Sequence, residues 1–144
     1  KDMTEGERGE LITQCRQAAE IAERHNVTLC MECHRKTFTE NPEDTLVLME
    51  SVNSRHFRMY WQPNQFKSKE ENILYAKQIS PYTENIHVFN WKGNEKYPLA
   101  DAKDIWKSYL SCFDDNKNLL LEFMPDDRIE TLKTEAEALK EIVK

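Results

Sequence analysis

The sequence predicts an α/β chain organised as a (β/α) barrel of TIM type, supplying about four consecutive strand–helix units after a leading helix. Three observations carry this. First, four apolar runs begin near Val27, Phe57, Asn85 and Asn118, and helical patterns separate them. A spacing of about thirty residues leaves room for a helical crossover, so the strands should be parallel. Second, each run carries at or near its end a polar side chain suited to a site: Glu32, Gln62, His87 and Glu122. In a barrel, groups that act together come from the C-terminal ends of several strands. Third, no glycine-rich phosphate loop follows any strand. That removes the dinucleotide fingerprint of an open, doubly wound sheet.

The elements follow in order. Leu11, Cys15, Ala18 and Ala22 recur at helical spacing, with Ile12 and Ala19 widening the stripe, which predicts a helix over Thr4–His25. Val27–Glu32 is the first strand. Asn41-Pro42 starts a helix, with an amide cap and proline in the first turn, and that helix carries Leu46, Met49 and Val52. Phe57–Gln62 is the second strand, stopped by Pro63. Ser68 and Glu71 form a capping box for a helix holding Ile73, Ala76 and Ile79, which ends before Pro81. Asn85–Asn90 is the third strand, and Trp91 to Pro98 reads as a longer loop. A helix is expected over Ala102–Phe113 and a strand over Asn118–Phe123. The last helix carries Ile129, Leu132, Ala136, Leu139 and Val143.

The 144 residues suffice for a single domain spanning 1–144 with its own core. A closed barrel takes roughly 250 residues, so this chain is read as half of one. It also begins at Lys1 rather than Met. We therefore expect a missing N-terminal half-barrel or a homodimer to cover the strand edges. A net charge of −6 argues against a nucleic-acid or membrane-surface partner. No apolar stretch is long enough to span a bilayer. The four cysteines lack the spacing of a secreted disulfide scaffold and are read as reduced thiols, which points to the cytoplasm.

A carboxylate that ends an apolar strand is costly unless paired, so Glu32 and Glu122 are the first candidates for a site. His87 joins them from inside an apolar strand. His34 and Arg35 lie just past Glu32 at the mouth of the expected pocket, where Arg35 can hold a hydroxyl or a phosphate. Trp61, Phe66, Trp91 and Tyr97 lie on or beside the strand-end loops, where aromatic rings can stack on a sugar. Asn64 and Gln65 complete the expected substrate wall. Trp106 and Tyr109, at helical spacing, are read as packing residues, and His25 and His56 as surface residues at the opposite end. The Cys30–Cys33 spacing is taken as coincidence, because neither a second ligand pair nor a helix N-terminus accompanies it.

Four motifs, Cys-Met-Glu-Cys-His-Arg, Tyr-Trp-Gln-Pro-Asn-Gln, Ile-His-Val-Phe-Asn-Trp and Leu-Leu-Glu-Phe-Met-Pro-Asp-Asp, resemble successive strand ends in the C-terminal half of the xylose-isomerase-like barrel family. That family includes sugar isomerases, ketose 3-epimerases, inosose dehydratases and the endonuclease IV group. The resemblance covers essentially the whole chain. It implies one divalent ion (manganese, magnesium, cobalt or zinc) held by Glu32, Gln62, His87 and Glu122. It also implies that Glu32 and Glu122 take and return a proton α to a carbonyl of a sugar or sugar-like polyol. Gln62 stands where the family usually has aspartate, and Gln65 where it often has histidine. A neutral amide is a poorer ligand for a hard cation. The alternative is therefore a non-catalytic sugar-binding or regulatory barrel that has lost its metal.

Overall fold

A computed structural model of the chain describes residues 3–114 and 116–144. Helix α1 (Glu5–Arg24) is capped by Thr4, whose side chain accepts from the Glu7 N–H while the Glu7 carboxylate returns to the Thr4 N–H. Then come β1 (Leu29–Glu32), α2 (Pro42–Val52), β2 (Phe57–Trp61), α3 (Lys69–Ile79) and β3 (Thr83–Val88). Two short strands follow, β4 (Trp91–Lys92) and β5 (Glu95–Lys96), then α4 (Lys103–Leu110), β6 (Asn118–Leu121) and α5 (Leu132–Ile142). The expected caps are present. Asn41 accepts from the Glu43 N–H ahead of α2, and Ser68 and Glu71 close the capping box of α3.

Among the described residues, β1, β2, β3 and β6 form one parallel sheet in that order. Successive helices pack on one another. Along β2, Phe57, Met59 and Trp61 are buried while Arg58 and Tyr60 are not; along β3, Ile86 and Val88 are buried while Asn85 and His87 are only partly covered. The helices therefore cover one face. The other face, carrying Cys30, Tyr60, Asn85, His87 and Leu120, stays partly open. Sequential parallel order with helices on one side is that of consecutive units of a (β/α) barrel, here not closed.

The structure differs from expectation at several places. The stretch after β3 is a small antiparallel hairpin, turned by Gly93 at φ 60°, rather than a loop. β3 begins two residues early, because Thr83 is already paired alongside Met59. β1 is shorter than expected, with Val27 and Leu29 exposed at the sheet edge. A 3₁₀ turn over Leu99–Ala102 precedes the shorter α4. In α5 the inward face is Glu135, Ala138, Leu139 and Ile142, one helical stripe, so Leu132 and Val143 are turned to solvent, and Ile129 is exposed in the 3₁₀ turn ahead of the helix. Glu135 is buried there and accepts the Leu99 N–H at 2.8 Å. His56 is buried rather than on the surface, with Nδ1 2.8 Å from the Val27 carbonyl at the base of the sheet. The four cysteines are free thiols. Three residues apart on extended chain, Cys30 and Cys33 lie on opposite sheet faces. Cys30 accepts from Asn85, and Cys33 is buried under α3 with its thiol pushed up to about 12 by that burial.

Candidate functional site

Strand alternation builds the site. Because Met31, Met59, Trp61, Ile86 and Val88 point toward the helices, Glu32, Tyr60 and His87 point the other way, at the C-terminal end of the sheet. Gln62 and Glu122, each the residue after its strand, join them there. Glu32, His87 and Glu122 offer ligand atoms that all lie within 4.8 Å of one another. His87 Nδ1 faces three of the other groups. It is 3.0 Å from Gln62 Oε1, 3.5 Å from Glu122 Oε2 and 3.9 Å from Glu32 Oε1. Against the Gln62 amide oxygen, Nδ1–H is the donor.

The electrostatics follow from packing carboxylates together under partial cover. The Glu122 carboxyl is pushed up to about 7, first by burial and then by the neighbouring Glu32 charge, with His34 opposing. Its Oε2 is buried and accepts no hydrogen bond from the described residues. Burial pushes His87 below its ordinary value, against the pull of Glu32, so the imidazole is held neutral at physiological pH. With its proton on Nε2 instead, the imidazole would offer Nδ1 beside two carboxylates and an amide oxygen, a donor set for a hard or borderline divalent cation. An orphaned carboxylate oxygen aimed at the cluster is the feature such an ion would satisfy. These residues therefore fit a single divalent ion, with Gln62 as its one uncharged oxygen donor.

The residues that hold the cluster were not legible as site residues. Tyr60 stacks on the His87 ring, with centroids 4.3 Å apart and planes at 30°. Thr39 Oγ1 donates to the Glu32 carbonyl at 2.5 Å, and the Thr39 carbonyl accepts from the buried Tyr75 hydroxyl at 2.6 Å. Thr45 and Tyr75 share a further hydrogen bond of 2.8 Å, so α2 and α3 both brace the end of β1. Glu40 binds the Lys36 N–H at 2.7 Å and Asn64 Nδ2 at 3.2 Å, tying the loop after β1 to the loop after β2. Period-two alternation would have placed Tyr60 on the face of Gln62, a signal the sequence reading did not use. The others come from loops and helices whose approach no local pattern encodes.

A cavity of about 210 Å³ opens beside the cluster. Its wall includes His34, Arg35, Asn64, Gln65, Trp91 and Glu122. Trp91 leans on Phe89 and Phe123, with Lys96 over its ring. Trp61 does not reach this cavity. It is fully buried on the helix side, against Trp106, Tyr109 and Phe113, because it shares the face of Met59. Its expected role in binding is therefore replaced by packing. Tyr97 also lies outside, under Lys92 and bonded to Glu95.

No family model matches the chain, and no curated protein matches it in sequence. Solved structures do. The chain superposes on the probable 3-DHS dehydratase AsbF of Bacillus anthracis, involved in petrobactin synthesis, with a TM-score of 0.78 and 19% identity, covering 96% of this chain and 58% of that one. It superposes on an L-ribulose 3-epimerase with a TM-score of 0.63 and 16% identity, covering 95% of this chain and 48% of that one. The chain thus spans about half the length of the solved structures it matches. These likenesses show the fold, consecutive strand–helix units of a (β/α) barrel.

Proposed function

We propose that the chain is the C-terminal half of a metal-assisted sugar isomerase or epimerase, acting α to a carbonyl on a sugar or sugar-like polyol. The observation that carries this is the convergence of Glu32, His87 and Glu122, from three different strands, within 4.8 Å. The fold shared with an L-ribulose 3-epimerase supports the same class. Residues 1–144 act as one domain, completed by an N-terminal half-barrel or a second copy. The free thiols support a reducing, cytoplasmic compartment.

Glu32, Gln62, His87 and Glu122 would hold the ion, which supplies polarisation of the substrate carbonyl and so acidifies the adjacent C–H. The protein's own residues do the rest. Glu122 and Glu32 are the two carboxylates of the proton exchange. Tyr60 fixes the plane of His87. Thr39 fixes the β1 end that carries Glu32. Asn64, Gln65 and Trp91 offer hydrogen bonds and an aromatic face to the polyol.

Solvent exchange tests the proposal. A panel of ketopentoses and ketohexoses is incubated in D₂O with manganese and the protein, and deuterium at the carbons flanking the carbonyl is read by NMR. Exchange above the metal-only control is expected, falling about a hundredfold or more in Glu32→Gln and Glu122→Gln. No exchange with any sugar, in protein that has bound its metal, contradicts catalysis. That result would favour the second reading, a sugar-binding barrel, for which the neutral Gln62 is the specific support.

A further inference from the structure

Arg35 is three residues past the end of β1, and its surroundings are fixed. His34 Nδ1 lies 2.7 Å from the Arg35 carbonyl, and the Thr37 hydroxyl donates to the His34 carbonyl at 2.7 Å. Lys36 takes a left-handed φ of 64°, with its N–H held by Glu40. The guanidinium lies over the Phe66 ring, 4.1 Å from its centroid, and Phe66 is anchored through its N–H to Asn64 Oδ1 at 3.0 Å. Stacking fixes the guanidinium plane and leaves its edge donors free.

Those donors are unspent. Arg8 binds Asp44, Arg16 binds the Ser51 carbonyl, Arg55 binds His56 and Arg58 binds the Pro81 carbonyl. Among the described residues, no carboxylate pairs with Arg35. Glu40, which lines the same cavity, directs its two oxygens to Asn64 and the Lys36 N–H instead. Arg35 is also the one permanently charged cation among the described residues of this cavity wall. Covering it with a neutral ligand would leave N–H donors facing no charged acceptor, whereas a carboxylate or phosphate meets the fork with two parallel bonds.

We propose that the polyol bound here carries an anionic group, a carboxylate or a phosphate, which Arg35 receives from its Phe66 platform. The inference rests on the reading of the cavity as a polyol site and narrows its substrate class to acidic sugars.

The test is calorimetric titration of the full chain, as purified and again after stripping with EDTA. The ligands are D-glucitol, D-gluconate and D-glucitol 6-phosphate. At least one anionic ligand is expected to bind about tenfold or more tighter than D-glucitol. Whichever of the two gains more identifies carboxylate or phosphate as the source. In Arg35→Met the preference for the anionic ligand over D-glucitol should collapse to within about threefold, and Arg35→Lys should restore only part of it. If Arg35→Met fails to fold, Phe66→Leu, which removes the platform, should weaken the anion selectively. Equal affinity for neutral and anionic ligands, no binding of any of the three at millimolar concentration, or a preference that survives Arg35→Met would overturn the proposal. The two readings fail separately. Anion preference in a protein that takes up no metal would remove the isomerase reading and leave this one. Metal uptake without anion preference would do the reverse.

Discussion

Glu122 is a carboxyl raised by burial and by Glu32, and that makes stability depend on pH in a defined direction. With its folded value near 7 and its ordinary value at 4.5, the folded state binds more protons than the unfolded state across that interval. The stability this group contributes is present below about pH 4.5 and is lost as pH rises through about 7. In metal-stripped protein, urea unfolding should show wild type losing stability relative to Glu122→Gln between pH 5 and pH 8. A constant difference between the two would contradict the placement of Glu122. Gln62 makes the complementary case. Gln62→Glu adds a third carboxylate to the cluster, so manganese affinity should rise by about tenfold or more. The melting temperature of the stripped variant should fall through repulsion. Glu32 and Glu122, which converge at the strand ends, were legible because a charge at the end of an apolar strand stands out. Thr39 and Tyr75 were not, because a hydroxyl bonded to a carbonyl leaves no pattern in the chain, and alternation puts Tyr60 on the face of Gln62 without revealing its stacking on an imidazole.

The strands and helices were legible from their periodicity and caps, and their ends less so. Ser68→Ala removes one partner of a complete capping box and should cost about 1 kcal/mol in urea unfolding. Trp61 shows where reading by neighbourhood fails. Its place beside a strand-end loop suggested a sugar platform, yet one step along a strand reverses the face. Its ring is edge-on to Trp106 and Tyr109 in the helix layer. Trp61→Ala should therefore cost roughly 3–5 kcal/mol of stability. Trp61→Phe, which keeps the core filled, should leave manganese affinity and polyol affinity unchanged. A loss of polyol affinity in that variant, without loss of fold, would return Trp61 to the binding wall. In α5, Glu135 replaced an expected apolar contact because its carboxylate caps the Leu99 N–H across the helix interface, a pairing between distant segments that no helical period reveals.

At the scale of the molecule, the sheet is covered on one face and partly open on the other, with β1 and β6 at its edges. Parallel sheets are normally covered on both faces, and open edges invite pairing. The purified chain should therefore associate in sedimentation equilibrium, and Leu120→Lys, placing a charge on the open face, should weaken that association. A strictly monomeric chain up to high micromolar concentration would contradict this. Strand ends from three separate units are proposed to assemble one cation site. Calorimetric titration of manganese into the stripped 144-residue chain tests it most directly. About one equivalent should bind, with affinity reduced by about a hundredfold in Glu122→Gln and in His87→Ala. No binding at millimolar manganese, or binding untouched by either substitution, would contradict it.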